Sequence, residues 1–222
     1  MSADAVYEAY IEVEPNGASL AQLYDLPGCY AHGVDQAIAL DNLEAAIPAY
    51  YVWLQAHDAY TPIVQGPHRV CVVGEAQVPA TDGHAPGGFF APAAVPMTGE
   101  DLDWYLALLD WAYTDLAALL DRVRAAQADD VATHVAQTQL WLASRLEAQP
   151  VVAAEERFPG APRERLRQVW QASVSRMRGT SDDERERRVD LEGERWSLRK
   201  LLQRSILHVR MHTDELRQAL AE

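Results

Sequence analysis

The chain has 222 residues, a formal net charge of −14, 49% hydrophobic residues and 23% charged residues. These values are ordinary for a globular protein that is long enough to bury one large core or two smaller ones. Residues 1–80 contain one basic side chain, Arg69, against ten acidic ones, and residues 81–222 hold 18 Lys and Arg against 23 acids. Because phosphate backbones and anionic membranes attract basic faces, this balance argues against both nucleic acid and membranes as partners.

The sequence also indicates a cellular compartment. Residues 1–5 lack the basic and apolar segments of a secretory signal, and no apolar run reaches the ~18 residues of a membrane span. The two cysteines, Cys29 and Cys71, stand among apolar neighbours, which is typical of buried reduced thiols. We therefore expect a cytoplasmic protein.

Short strand patterns dominate the first part of the chain. Tyr7–Val13 is aromatic and β-branched, Ala18–Leu26 follows a Pro-Asn-Gly turn signal, and Cys29–His32 has the composition of a short strand or turn. After a helical stretch, residues 68–78 form a further strand pattern. These segments predict a small α+β domain over residues 1–79, in the order strand, strand, helix, strand, with the helix on an antiparallel sheet.

The helix of this domain is predicted from Asp35 to about Leu54, where apolar residues recur at helical spacing. Pro48 lies inside the pattern, and we expect it to kink or divide the helix. The stretch that follows the domain holds four prolines and three glycines in residues 79–98. That composition predicts an interdomain linker over residues 80–97.

Helical patterns fill residues 98–222. Thr98 is placed to cap a first helix, Asp129 or Asp130 to cap a second that runs to about Gln149, and Pro162 to begin a third that ends before Gly179. Thr180 to Arg195 is highly charged and is predicted to be loop, either alone or with one frayed helical turn, before a fourth helix from about Ser197 to Leu220. Four amphipathic helices of this length predict an all-α four-helix bundle.

His208 and His212 lie one turn apart on the predicted fourth helix. At ~100° per residue they continue the apolar stripe of that helix, so both imidazoles are expected to face the bundle interior. A metal ion would satisfy two buried imidazoles at once, although such pairs also occur as hydrogen-bonded core residues or on surfaces. The intervening Val-Arg-Met excludes the His-Glu-x-x-His motif of zinc proteases.

A third histidine, His134, lies on the predicted second helix beside its inward stripe. Two helices of one bundle could thus present three ring nitrogens to a common point and leave other coordination positions open. Three protein ligands with open positions are typical of a catalytic rather than a structural metal site.

Residues from about 96 to 222 resemble the DinB-like family of metal-binding four-helix bundles, which includes thiol-dependent S-transferases and maleylpyruvate isomerases. The likeness is carried by the segment His134–Trp141, by Trp196–Leu202, and by the pair His208 and His212. The family places one ligand histidine in the second helix and a His-x-x-x-His pair in the last. The resemblance implies that His134, His208 and His212 are the metal ligands.

The leading hypothesis is therefore a metal- and thiol-dependent transferase or a hydrolase-like enzyme acting on a small molecule. The resemblance implies a low-molecular-weight thiol as cosubstrate, and no protein nucleophile is assigned. Three imidazoles suit zinc, nickel or iron, with copper and cobalt as alternatives. Helical spacing puts Gln137 and Glu215 near the ligands, where they are predicted either to support the rings or to face solvent.

Residues 1–79 resemble the HicB-like antitoxin domain, on the residues Leu26–Cys29, Gly33 and the run Asp35–Ile47. The resemblance implies a sheet-and-helix module that binds a toxin or self-associates. A helical bundle replaces the usual DNA-binding domain here, so we expect homo-oligomerisation rather than a toxin partner. The rival hypothesis is a protein without catalysis, which binds metal or a partner protein and uses this domain for oligomerisation or recognition.

Overall fold

The computed structural model describes residues 5–59, 68–79, 87–147 and 153–221. The chain divides into two compact units, Met1–Pro92 and Ala93–Glu222. A small sheet forms the first unit, and a helical region forms the second. Part of the predicted linker, residues 80–86, and the predicted end of the second long helix at Gln149 lie outside the described residues. None of the described helices combines the length and the apolarity needed to cross a membrane.

The first unit is built on a four-stranded sheet in the order β3-β2-β1-β4. The strands β1 and β2 pair antiparallel, as do β2 and β3, whereas β4 runs parallel to β1. Gly17, with φ of +91°, completes the turn between β1 and β2, a conformation that glycine adopts at little cost. The strands are Ala5–Val13 (β1), Ser19–Leu23 (β2), Tyr30–Gly33 (β3) and His68–Gln77 (β4).

This topology corrects the prediction for the first unit in two respects. The segment predicted as a strand or turn is the strand β3, so three strands rather than two precede the helix. The sheet is mixed rather than antiparallel, because the helix between β3 and β4 returns the chain to the end of the sheet where β1 begins. Turn signals report pairing between neighbouring strands only, and the partner of β4 lies more than fifty residues earlier.

The helix α1, Gln36–Ala56, packs on this sheet through its buried face. It begins at Asp35, whose side chain accepts a hydrogen bond from the Ile38 backbone N–H, at 2.9 Å. Pro48 does not divide the helix, because α1 continues through it from Gln36 to Ala56. Pro48 is exposed while Ile47 and Tyr50 are buried, so packing of the opposite face maintains the helix despite the missing backbone N–H.

Four long helices dominate the second unit. Helix α2 packs against α7, α3 packs against both α5 and α7, and α2 also contacts α5. Two single-turn helices, α4 (Ala154–Arg157) and α6 (Asp182–Glu186), lie between the longer ones. The long helices are Gly99–Leu120 (α2), Ala125–Glu147 (α3), Pro162–Arg178 (α5) and Leu198–Ala221 (α7).

The helix ends follow the sequence signals in part. Thr98 caps α2 as predicted, in a reciprocal capping box with Asp101. The prediction that Asp129 or Asp130 caps the next helix is wrong, since α3 begins at Ala125 and both aspartates lie inside it. Alanines at the start of α3 are strong helix formers, and they extend the helix beyond the residues that resemble a cap.

The predicted loop after α5 contains the single-turn helix α6, which agrees with the predicted frayed turn, and a β-hairpin that was not predicted. Its strands are β5 (Arg188–Leu191) and β6 (Glu194–Ser197), paired antiparallel. The turn residues Glu192 and Gly193 have φ of +56° and +82°, as a two-residue hairpin turn requires. The high charge of the segment concealed the strands, although Trp196 is fully buried and anchors the hairpin.

Candidate metal centre

The candidate site lies where α3 meets α7. Helix α3 presents His134 next to the buried residue Val135, and α7 presents His208 and His212, one turn apart, along one edge of its buried stripe, which includes Val209. All three imidazoles are half-buried. Packing of the two helices thus brings together the three histidines that the sequence singled out.

The ring nitrogens converge on His208. Its Nε2 lies 3.0 Å from Nε2 of His134 and 3.1 Å from Nε2 of His212. The ring centroids are 4.6 to 5.0 Å apart, and one nitrogen from each ring lies within 4.8 Å of the other two. This cluster could hold a metal ion.

Hydrogen bonding among neutral imidazoles accounts poorly for this arrangement. A ring nitrogen carries either one N–H or one in-plane lone pair, so Nε2 of His208 can serve one good hydrogen bond at a time. Yet the Nε2 atoms of His134 and His212 lie at nearly equal hydrogen-bonding distances from it, 3.0 and 3.1 Å. A cation among the three lone pairs would satisfy all of them together.

The spacing also fits the ligand geometry of a transition metal. Nitrogens bound at ~2.0–2.1 Å lie ~3.3 Å apart in a tetrahedral site and ~3.0 Å apart at right angles in an octahedral one. The separations of His134 and His212 from Nε2 of His208, 3.0 and 3.1 Å, are of that size. The all-nitrogen donor set suits zinc, nickel or iron better than magnesium or calcium, which prefer oxygen.

Glu215 supports one of the rings. Its Oε2 lies 2.7 Å from Nδ1 of His212, so the carboxylate accepts a hydrogen bond from that nitrogen when Nδ1 carries the proton. Protonation at Nδ1 leaves the Nε2 lone pair directed at the cluster. Carboxylate–histidine pairs fix the tautomer and the ring orientation in metal sites. The carboxylate is 60% exposed, so it orients His212 from the solvent side.

Gln137, which helical spacing put near the ligands, has a different contact. Its Oε1 accepts a hydrogen bond from the backbone N–H of Ala154, at 2.8 Å. That bond joins α3 to the start of α4, whose first turn it caps from outside. The structure therefore connects Gln137 with the packing of α4.

Buried cations on the same two helices, among them Arg145 and Lys200, were missed in the sequence analysis. Arg145 lies over the ring of Trp141 and forms an ion pair with Glu192 in the hairpin turn, at 2.8 Å. The ammonium nitrogen Nζ of Lys200 lies 4.3 Å from the centre of the Trp196 ring. Their positions on the inward stripes of the two helices indicated burial. They were overlooked because long charged side chains on helices are usually solvated.

Comparison of the chain with protein-family models, with curated proteins and with solved structures gives no match. The kind of site is therefore argued from the geometry of His134, His208 and His212. It defines a candidate metal centre with three nitrogen donors from two helices.

Proposed function

We propose that the second unit is a DinB-like four-helix bundle that binds one divalent metal ion through His134, His208 and His212. We further propose that it is a metal- and thiol-dependent transferase or a hydrolase-like enzyme, acting on a small molecule. The observation that carries this proposal is the approach of two ring nitrogens to Nε2 of His208, one from His134, 74 positions earlier in the chain, and one from His212.

The helix contacts support the bundle. In this unit α7 contacts α2 and α3, and α5 contacts the same two helices, which is the pattern of neighbours expected of a four-helix bundle. Leu108, Leu116, Leu142 and Leu202 are among the residues that fill the core of this unit. Metal sites in such bundles are commonly built from side chains on facing helices.

The ligand count supports catalysis. Three protein ligands leave coordination positions open for a substrate or cosubstrate. A bound divalent ion would lower the pKa of a coordinated thiol or water enough to supply a nucleophile near neutral pH. The half-buried state of all three histidines puts the site at the margin of the core, within reach of a small molecule. Glu215 holds the ring of His212 so that its Nε2 stays directed inward.

The test is an activity assay on the full chain loaded with zinc, nickel or iron. Low-molecular-weight thiols are incubated with a panel of small electrophiles, and thiol consumption is followed, with ester and amide hydrolysis measured in parallel. We expect metal-dependent turnover that His208→Ala abolishes and His32→Ala, outside the cluster, preserves. Metal binding without turnover across the panel would favour the second candidate, a non-catalytic metal-binding protein.

For the first unit we propose a HicB-like module that serves homo-oligomerisation. Its mixed sheet with one covering helix supports this, as does the acidic balance of residues 1–80, which offers no basic face for nucleic acid. The assay described above, with its three metals and its panel of electrophiles, tests which metal and which substrate class support turnover.

A further inference from the structure

A groove runs between α2 and α5 in the second unit, whereas the histidine cluster is built by α3 and α7. Its volume of about 470 Å³ is within the range of small-molecule sites, ~300–1,000 Å³. Leu106 and Trp170 are buried along it and Val174 is half-buried, so the floor of the groove is apolar. The groove is therefore a candidate binding site separate from the metal centre.

Helices α2 and α5 run antiparallel along this groove. Near the end of α2, Asp121 lies 2.7 Å from a guanidinium nitrogen of Arg163, near the start of α5. Three turns back along α2, Asp110 accepts a hydrogen bond from the indole N–H of Trp170, at 3.4 Å. Continued along both helices, this register puts the first two turns of α2 beside the last two turns of α5.

Charges of opposite sign line the groove at that end. Asp103 on α2 and Arg178 on α5 are both exposed and both lie along the groove. They are not joined as an ion pair, so their charged groups are farther apart than the ~4 Å of a direct contact. A ligand that carries an ammonium group and a carboxylate on one carbon atom could bind both side chains together.

A second carboxylate lies farther along the same wall. Asp110 is two helical turns from Asp103, ~10 Å by the rise of the helix. Its Oδ1 accepts the bond from Trp170, which leaves Oδ2 for another donor. With Arg178 opposite, the groove carries two carboxylates and one guanidinium. Its charge is complementary to a ligand with two cationic groups and one carboxylate.

We propose that the groove binds a basic α-amino acid, L-arginine or L-lysine. Arg178 binds the α-carboxylate, Asp103 binds the α-ammonium group, and Asp110 binds the cation at the end of the ligand side chain. The short methylene chain between the two cations lies over Leu106 and Val174. Hydrogen bonds of ~2.8 Å at each end complete the span between the two aspartates.

The test is isothermal titration calorimetry on the full chain in the presence of a metal chelator. L-Arginine and L-lysine are compared with L-citrulline, which lacks the side-chain charge, and with agmatine, which lacks the carboxylate. We expect L-arginine to bind about tenfold more tightly than either analogue, since each analogue loses one charged contact.

Two variants assign the contacts. Asp110→Asn keeps an acceptor for Trp170 but should remove the preference for L-arginine over L-citrulline, and Arg178→Gln should remove the preference over agmatine. The control is Asp130→Asn, at an exposed position of α3, which should leave binding unchanged. His208→Ala should also bind L-arginine normally, because the groove does not use the metal centre.

Thermal unfolding establishes that each variant is folded. The proposal is overturned if neither L-arginine nor L-lysine binds saturably up to ~1 mM. It is also overturned if both analogues bind as tightly as L-arginine, or if Asp110→Asn and Arg178→Gln leave binding unchanged. Loss of binding in His208→Ala would put the ligand at the metal centre and would contradict the proposal as well. These results are independent of any metal-dependent turnover.

Discussion

Nε2 of His134 on α3 lies 3.0 Å from Nε2 of His208 on α7, although 74 positions separate the two residues in the chain. A cation held between them would link two helices of the second unit. Binding to the folded state alone stabilises that state by mass action. The proposed centre therefore makes a prediction about stability as well as activity.

We expect removal of the metal to destabilise the second unit. Free metal at 100 times its dissociation constant would contribute ~2.7 kcal/mol to the free energy of unfolding. Urea unfolding of protein with added zinc, compared with protein treated with a chelator, measures the difference. His212→Ala should show the same unfolding curve with and without zinc. If zinc stabilises that variant as much as the wild type, the ion binds elsewhere.

Glu215→Ala should weaken metal binding without abolishing it. The substitution removes the carboxylate 2.7 Å from Nδ1 of His212 and releases that ring to other orientations and tautomers. Loss of such a supporting group typically weakens metal affinity by about 10–100-fold. Because this carboxylate is exposed, we expect the low end of that range, about tenfold. Competition with a fluorescent zinc chelator gives the affinity. The control is Asp214→Ala, which removes the neighbouring carboxylate that pairs with Arg217.

Gln137→Leu should affect stability rather than metal binding. The amide oxygen of Gln137 accepts a bond from the Ala154 N–H, at 2.8 Å, and leucine leaves that donor without its acceptor. We expect a loss of about 1 kcal/mol in the free energy of unfolding. Zinc affinity should stay within about twofold of the wild type. A large fall in affinity would show that Gln137 supports the ligand rings after all.

We expect acid to remove part of the stability that Asp101 gives to the second unit. Burial by itself raises the pKa of Asp101, but hydrogen bonds from Arg199 and Thr98 and the charge of Arg199 outweigh it, so the pKa lies below its ordinary value. A depressed pKa in the folded state gives stability that is present above the unfolded pKa of ~3.9 and is lost as the pH falls through the folded pKa.

Asp101→Asn isolates that contribution. The side chain is 38% exposed, so solvent screening limits the loss at neutral pH to about 1 kcal/mol or less. Urea unfolding of both proteins should show this difference at about pH 7 and a smaller one at about pH 3, below the ordinary pKa of an aspartate, where the unfolded wild-type chain has taken up its proton. A difference that grows on acidification would contradict the assigned ion pair with Arg199.

Local sequence signals located much of the fold. The bounds of α5 follow from Pro162 and Gly179, and the start of α2 follows from Thr98, because caps and helix breakers act within one turn. The parallel pairing of β4 with β1 joins distant segments and leaves no local signal. The β5–β6 hairpin was missed because its charged residues masked Trp196, the residue that anchors it.

The candidate metal site could likewise be predicted from the sequence only in part. The spacing of His208 and His212 puts both rings on one face of a helix, which any helical prediction gives. Whether His134 reaches them depends on how α3 packs against α7, and that is a property of the folded unit. The contact of Gln137 with Ala154 shows the limit of helical spacing, since spacing gives the direction of a side chain and not its partner.

The most direct test of the metal centre is the metal content of the chain, purified without an affinity tag and measured by inductively coupled plasma mass spectrometry. We predict close to one equivalent of zinc, nickel or iron per chain, lost in His208→Ala and retained in His32→Ala. A folded chain that contains no metal and takes up none from added zinc, nickel or iron would contradict the account. So would a His208→Ala variant with its metal still in place.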